Sequence, residues 1–288
     1  MVAKLPMPEY DSLEVVSTVI SERKRFLAFY RSITDDLRAQ ILSYLEVGGD
    51  PSVITPLNLR DYTDSDDEAE SRKKSLINLY SPKPDQAPYE ILEDMRNEHG
   101  LLFCPSCGED GAPGTLDHYL PKTEFPELAV CVANLTPMCS KCQGKKSSEY
   151  QTPDGQKAYL HPYYDEVLVS LFHVDIALPF SKPSAFTVAV KDSITGDFRR
   201  LVESHIQGVE FKIRFEKYCE SKHMHLLKVI SKGRRDDDPI PARHVIRVFL
   251  RQEQEKALNA WGAIYYQSVL DSPELLDYLD NGILPRFI

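Results

Sequence analysis

The sequence lacks any apolar run near the roughly 18 residues that a membrane-spanning helix requires. Its first residues also lack the apolar core of a secretory signal peptide. It has no internal repeats and no low-complexity linker, so solenoids and tethered arrays are excluded. These absences predict a cytoplasmic protein of compact domains with no membrane partner.

Basic residues are also in deficit. The chain has 34 Lys and Arg against 44 Asp and Glu, a net charge of −10. This balance argues against a surface coated in positive charge for nonspecific DNA binding. A small basic groove on an acidic body is still compatible with a nuclease, and a basic protein partner could supply further affinity for nucleic acid.

Cysteine is scarce, and its placement is informative. Four of the six cysteines form two Cys-x-x-Cys pairs, and the other two are isolated: Cys104 with Cys107, Cys139 with Cys142, then Cys131 and Cys219. In a cytoplasmic chain, close thiols are interpreted as metal ligands before disulfides. Two such pairs supply the tetrahedral sulfur set that structural zinc prefers, whereas a redox motif needs only one. The isolated cysteines are predicted to be small buried apolar residues.

The hydrophobic content of 42% over 288 residues is enough for a substantial core. Apolar periodicity and capping residues predict helices over 11–47 (one or two), 68–80, 87–98, 139–149, 209–232, 240–270 and 272–280. Strand-like composition covers 101–103, 167–178 and 185–190. The expected fold is α+β and mostly helical, with a helical region at 1–100, a central zinc-containing module at 101–165 and a mainly helical α+β region at 166–288.

An acidic segment at residues 61–70 carries six acids and no base. Either it is a solvated loop or helix N-terminus, or it is a DNA-mimicking or partner-binding segment.

The stretch between the cysteine pairs carries residue types suited to hydrolysis. Asp117 places a hard oxygen ligand beside the imidazole of His118, and Asn134 follows before the second pair. If Asp117 binds a divalent cation, His118 is placed to take a proton from a water that attacks a phosphodiester.

Taken together, the elements CPSC, LDHYLPK and NLTPMCSKCQGKK within residues 104–146 resemble the HNH (ββα-metal) endonucleases, in the subgroup stapled by a four-cysteine zinc. The resemblance implies a ββα core with His118 as general base and Asp117 as ligand of catalytic Mg²⁺ or Mn²⁺. It implies that Asn134 pins the loop that bears the base through backbone hydrogen bonds and takes no part in the chemistry. The second metal ligand, usually His or Asn, is here Gln143.

Gln143 departs from that family pattern. Its amide oxygen is a hard ligand suited to Mg²⁺, but it lies one methylene further from the backbone than that of Asn. Three interpretations are open: an adapted site, a weakly held metal, or replacement by a nearby residue. An active enzyme is favoured, because Asp117 and His118 carry the chemistry.

Four further residues are candidates for contact with substrate phosphate: Lys122, Lys145, Lys146 and His161. The alternative for each lysine is a solvated surface position, and for His161 a structural role or a place in the metal site.

The predicted function is an HNH endonuclease on DNA, leaving 5′-phosphate and 3′-hydroxyl ends. Its large flanks resemble effector nucleases of bacterial antiphage defence, which implies a partner such as an ATPase or sensor subunit. Two alternatives stay open: a non-catalytic zinc-stabilised interaction module for nucleic acid or protein, and a ribonuclease acting on tRNA or other RNA.

Overall fold

The computed structural model describes residues 3–287. The chain divides into two compact units. The N-terminal unit comprises Lys4–Ser106 and Ala112–Asp165, and the C-terminal unit comprises Cys107–Gly111 and the chain from Glu166 onward, with Ala3. The observed secondary structure confirms a mostly helical α+β fold.

The N-terminal unit has five helices and one two-stranded sheet in the part of the chain that the structure describes. The helices are α1 (Ser12–Ser21), α2 (Leu27–Val47), α3 (Asp66–Ile77), α4 (Tyr89–Asn97) and α5 (Ser140–Lys146). The strands are β1 (Thr115–His118) and β2 (Leu135–Met138), and short 3-10 turns cover Leu59–Tyr62, Asn78–Tyr80, Pro126–Leu128 and Val132–Asn134.

Caps explain where several of these helices begin. The Asp11 carboxylate accepts a hydrogen bond from the Glu14 amide at 2.8 Å and starts α1. The Ser65 hydroxyl does the same for Glu68 at 3.2 Å and starts α3. The acidic segment at 61–70 therefore leads into the amino end of α3, where its carboxylates complement the helix dipole.

The C-terminal unit contains β3 (Phe172–Ile176), β4 (Phe186–Val190), α6 (Gly196–Gly208), α7 (Phe211–Gly233), α8 (Ala242–Gln254), α9 (Trp261–Leu270) and α10 (Pro273–Asn281). Strands β3 and β4 pair antiparallel, with Val174 opposite Val188. Helix α9 is buried around most of its circumference, which makes it the centre of this unit. The Trp261 indole donates to the Cys107 carbonyl at 2.6 Å.

One change of unit falls between Asp165 and Glu166, and residues 100 and 101 both lie in the N-terminal unit. The N-terminal helices pack on the residues of the predicted zinc module. The Ala133 amide donates to the Ser12 hydroxyl at 3.2 Å, and the Tyr44 hydroxyl lies 2.9 Å from Nε2 of His161.

Some element predictions were wrong in extent. Residues 101–103 form no strand, α6 was not predicted, and the helix expected over 240–270 is two helices, α8 and α9. The buried Asn259 lies in this break. Its side chain bonds the amide of Leu171 at 2.7 Å and the carbonyl of Val169 at 2.9 Å, which favours a turn over a continuous helix.

Within residues 3–287, no helix has both the length and the apolar character needed to cross a membrane.

Candidate active site

Strands β1 and β2 and helix α5 form a consecutive ββα arrangement. In the antiparallel register Asp117 lies opposite Thr136, and His118 lies opposite Leu135. Helix α5 follows β2 directly, because Cys139 caps it by accepting a hydrogen bond from the amide of Cys142. The end of β1 and the inner side of α5 therefore meet, which brings residues 117 and 118 close to residues 143 and 146.

The predicted zinc ligands come together. The sulfur atoms of four cysteines lie within 4.8 Å of one another: Cys104, Cys107, Cys139 and Cys142. Tetrahedral zinc with bonds of about 2.3 Å needs sulfurs about 3.8 Å apart, so small adjustments complete the site. The Cys139 amide points at Cys104 Sγ at 3.4 Å and the Cys142 amide at Cys139 Sγ at 3.5 Å, and such donors stabilise thiolates. The cluster is compatible with structural zinc. The isolated Cys131 and Cys219 are fully buried, as predicted.

Asp117 forms a buried ion pair with Lys146. The distance from Asp117 Oδ2 to Lys146 Nζ is 2.9 Å, and the two side chains are 5% and 1% exposed. The same ammonium group donates to the carbonyl of His118 at 2.8 Å. Burial raises the pKa of Asp117, and the positive charge of Lys146 opposes that increase. Lys146 thus joins α5 to the last two residues of β1, Asp117 and His118.

The imidazole of His118 is held in one tautomer. Its Nε2 lies 2.9 Å from the carbonyl of Ala129, and because a carbonyl only accepts, Nε2 carries the proton. Nδ1 therefore keeps a lone pair. Burial, with the nearby charge of Lys122, lowers the pKa of His118 to about 3. The ring is consequently neutral at physiological pH and able to accept a proton at Nδ1.

Gln143 is oriented by one hydrogen bond. Its Nε2 donates to the carbonyl of Leu116 at 2.9 Å. Since that carbonyl only accepts, the amide nitrogen must face it, which leaves Oε1 directed elsewhere. Gln143, Asp117 and His118 all line one cavity of about 500 Å³. The carboxylate and the amide oxygen are both hard donors, the type that Mg²⁺ and Mn²⁺ take in proteins, so the donor set fits such a cation.

Asn134 braces the segment after His118. It is fully buried, its Oδ1 accepts from the Leu120 amide at 2.8 Å, and its Nδ2 donates to the carbonyls of Leu120 at 3.0 Å and Leu128 at 3.3 Å. The Asn134 carbonyl also accepts from the Tyr119 amide at 2.8 Å. One side chain thus satisfies three backbone groups of a segment that has no regular ladder to do so.

The four predicted phosphate contacts separate in the structure. Lys122 lines the cavity, half-buried, and burial lowers its pKa. Lys145 is exposed on α5, where phosphate contact stays a prediction. Lys146 does not fit the prediction, because its ammonium group is buried, forms an ion pair with Asp117 and donates a hydrogen bond to the carbonyl of His118.

His161 also does not fit the predicted substrate contact. It is fully buried, Tyr44 lies on its Nε2 at 2.9 Å, and its Nδ1 accepts from the Tyr163 amide at 3.1 Å. The ring lies 4.0 Å from that of Tyr119, centroid to centroid. With both ring nitrogens bonded and no exposed atom, we interpret His161 as a structural residue that joins α2 to the ββα arrangement.

Two residues that line the cavity had no signal in the sequence. The ring of Tyr80 meets His118 edge to face at 4.4 Å, and the ammonium group of Lys122 lies 4.2 Å from the Tyr80 centroid. The Tyr80 hydroxyl also donates to the Leu116 carbonyl at 3.2 Å. Arg96, from α4, lines the same cavity and pairs with Glu93. In sequence that pair has the spacing of an ordinary solvated helix pair.

One short segment of the chain is similar to a phage protein. A stretch of 64 residues is 38% identical to Protein ea31 of Escherichia phage lambda. This stretch is 22% of the chain and 21% of that protein, so the chain spans only about a fifth of the relative's length. No protein-family model matches the chain, and no solved structure matches it.

Proposed function

We propose that this protein is an HNH-type, metal-dependent endonuclease that hydrolyses phosphodiester bonds in DNA. The observation that carries the proposal is the convergence of three groups on one cavity: the neutral imidazole of His118, the carboxylate of Asp117 and the amide of Gln143. The cavity borders a ββα arrangement stapled by four cysteines, the setting that the sequence resemblance implies.

In this proposal His118 acts as the general base. Its Nε2–H is anchored to Ala129, so Nδ1 is the nitrogen that takes a proton from the attacking water. The water oxygen then bonds to phosphorus, the bond to the 3′ oxygen breaks, and that oxygen takes a proton from solvent water, leaving 5′-phosphate and 3′-hydroxyl ends. The charge of Lys122, at the same cavity, attracts the substrate phosphate. A bound phosphate would offset the effect of Lys122 and raise the basicity of His118.

Asp117 and Gln143 would hold the catalytic Mg²⁺ or Mn²⁺. When bound, such a cation supplies Lewis-acid stabilisation of negative charge on the phosphate. The protein side contributes rigidity: Lys146 fixes Asp117, the Leu116 carbonyl orients Gln143, and Asn134 holds the following segment. Zinc at the four cysteines would have a structural role only.

A partner protein belongs to the proposal. The net charge of −10 works against autonomous binding to a polyanion. We therefore propose control by a partner, such as the ATPase or sensor subunit of a bacterial antiphage system, that brings the nuclease to DNA.

Two observations favour a second candidate, a non-catalytic zinc-stabilised interaction module. Asp117 is already paired with a buried ammonium group, and Gln143 replaces the usual His or Asn. In that case the cavity would bind without cutting.

The test is cleavage of plasmid DNA and of total tRNA by wild-type protein and His118→Ala. Divalent cations are removed by gel filtration and then restored as Mg²⁺ or Mn²⁺, and zinc is measured afterwards to verify that the cysteine site stays loaded. His244→Ala, at an exposed position on α8, is the matched control. We expect cation-dependent plasmid nicking that His118→Ala loses by a hundredfold or more, about the value of a general base.

Three other results would redirect the proposal. Cleavage that is unchanged in His118→Ala removes His118 from its role. Cleavage of tRNA but not plasmid favours the ribonuclease alternative. No cleavage of either substrate, with and without the partner, favours the interaction module.

A further inference from the structure

A second cavity of the N-terminal unit is basic although the protein is acidic. It lies between the end of α1 and the start of α2, has a volume of about 500 Å³ and is bordered by three consecutive basic residues, Arg23, Lys24 and Arg25. Helix α3 contributes Lys74 and Ser71 to the same cavity. We refer to it as the Arg23 cavity.

The three consecutive bases are uncompensated. Among residues 3–287 the structure records no ion pair for Arg23, Lys24 or Arg25, whereas nearby Arg60 and Arg72 pair with Asp66 and Glu68. The Nε of Arg23 is shielded from solvent and has no hydrogen-bond partner in the described chain. Such a group is costly unless a ligand satisfies it.

Acidic groups cancel only part of this charge, because four bases border the cavity against one acid. The acid that borders the Arg23 cavity, Glu22, uses a carboxylate oxygen to accept the Ala87 amide at 3.0 Å. Lys74 pairs with Glu70 only loosely, at 3.6 Å, and both side chains are exposed.

The amino end of α2 adds to the positive potential. Phe26 borders the cavity and precedes this 21-residue helix, which begins with no side-chain cap and no acid in its first turn. Uncapped amide groups at a helix start attract anions. The guanidinium group of Arg25 lies 5.3 Å from the centroid of the Phe26 ring, which keeps this charge beside the start of the helix.

The Arg23 cavity and the candidate active site border the same short turn. Asn78 lines the first and Tyr80 lines the second, and both belong to the 3-10 turn that follows α3. A 3-10 turn rises about 2 Å per residue, so the two bordering residues are only about 4 Å apart along its axis. A duplex that is bound at His118 and continues past this turn would bring further phosphates to Arg23–Arg25.

We propose that the Arg23 cavity binds the phosphodiester backbone of the nucleic-acid substrate, at phosphates outside the bond to be cut. This inference rests on the proposed function for its ligand. Contacts of this type position a duplex without reading its sequence, so the contribution should be the same for unrelated sequences.

The test measures binding in the absence of cleavage. Arg23→Gln/Lys24→Gln/Arg25→Gln is made in a His118→Ala background, and fluorescence anisotropy gives the Kd for labelled duplexes of two unrelated sequences between 50 and 200 mM salt. The matched control is Arg243→Gln/Arg247→Gln/Arg251→Gln, three exposed bases on α8. Each triple variant changes the net charge equally, from 34 − 44 = −10 to 31 − 44 = −13.

We expect the cavity variant to bind both duplexes at least about tenfold more weakly and to lower the salt slope by about 2 to 3, near 0.9 per lost phosphate contact. The α8 control should keep the wild-type Kd and slope. Equal weakening by both variants would show a general charge effect and overturn the proposal, as would binding of inorganic phosphate or ATP without binding of DNA.

Folding and cutting are checked separately. Lys24→Gln/Arg25→Gln alters only exposed side chains and should give an intermediate Kd with an unchanged Tm. If the wild-type protein does not cleave DNA and the triple variant loses DNA binding, the proposal for the Arg23 cavity is supported and the proposed function is contradicted. If the triple variant binds DNA normally, and the same three substitutions made with His118 present leave cleavage intact, the proposed function is supported and the proposal for the Arg23 cavity is overturned.

Discussion

Lys146→Met tests the ion pair at the centre of the candidate active site. Methionine keeps the length and apolar stem of lysine and removes the ammonium group. The variant loses the 2.9 Å contact with Asp117 and the 2.8 Å hydrogen bond to the His118 carbonyl, and leaves a carboxylate that is 5% exposed without a cation. Breaking a buried pair from one side costs about 3–5 kcal/mol of unfolding free energy.

Protonation of Asp117 limits that loss, and the limit depends on pH. At about 1.36 kcal/mol per pH unit above the ordinary value of 3.8, neutralising the carboxylate costs about 4 kcal/mol at pH 7 but only about 1.6 kcal/mol at pH 5. The folded pKa of Asp117 is raised in this variant, so the folded state binds more protons than the unfolded state above pH 3.8. Stability must therefore fall as the pH increases from 3.8 towards the raised pKa.

The assay is urea unfolding at pH 5 and pH 7, with zinc retained. We expect Lys146→Met to lose about 3–5 kcal/mol at pH 7 and about 3 kcal/mol less than that at pH 5. Asp117→Asn added to Lys146→Met should recover most of the loss at pH 7, because no buried charge is left. Lys145→Met, at the exposed neighbour, is the control and should change stability by less than about 0.5 kcal/mol.

A loss below about 1 kcal/mol at pH 7 would refute this reasoning. So would a loss that is equal at both pH values, because the penalty would then come from packing and not from a buried charge.

Two further predictions concern metal and pH. Cys142→Ser should reduce bound zinc from about one per chain to near zero, measured by elemental analysis, and should lower the Tm, because a structural zinc site contributes folding free energy directly. Glu127→Gln should flatten the dependence of stability on pH. Burial raises the pKa of Glu127 from 4.5 to about 7, so wild-type stability should fall by about 3 kcal/mol as the pH increases through that window, measured by urea unfolding.

The controls for these two predictions use the same chain. Cys219→Ser, at a cysteine outside the cluster, should keep its zinc, and zinc retained in Cys142→Ser would contradict the four-ligand site. The Glu127 carboxylate accepts from Gln40 and from the Leu57 amide, each at 3.2 Å. An identical pH dependence in wild type and Glu127→Gln would assign the wild-type slope to other groups.

Local patterns were enough for the residues whose roles depend on spacing. Two Cys-x-x-Cys pairs can converge because each pair presents two sulfurs from a short turn, so four ligands were identifiable from the chain alone. The start of α1 at Asp11 and the end of α2 at Gly48 could also be predicted, because caps and positive-φ glycines act over a few residues. The stretch between the cysteine pairs, with Asp117, His118 and Asn134, became a candidate site through the order of its motifs.

Roles that depend on distant partners could not be predicted from spacing. Lys145 and Lys146 are neighbours in the sequence, but a helix turns about 100° per residue, so one is exposed and the other is buried against Asp117. Both ring nitrogens of His161 form hydrogen bonds, one with the Tyr44 hydroxyl and one with the Tyr163 amide. Tyr44 is distant in sequence, so the structural role of His161 could not be predicted from local spacing.

The tertiary structure alone also placed the surroundings of the site. Tyr80 contacts His118, and Asn78 lines the Arg23 cavity. Both residues belong to one short turn, whose neighbours in space are distant in sequence. The sequence by itself determined the ligand types and the chemistry available at residues 104–146. The tertiary structure decided which charges are buried, which are paired and which face a cavity, because burial and pairing are properties of the packed chain and not of any one segment.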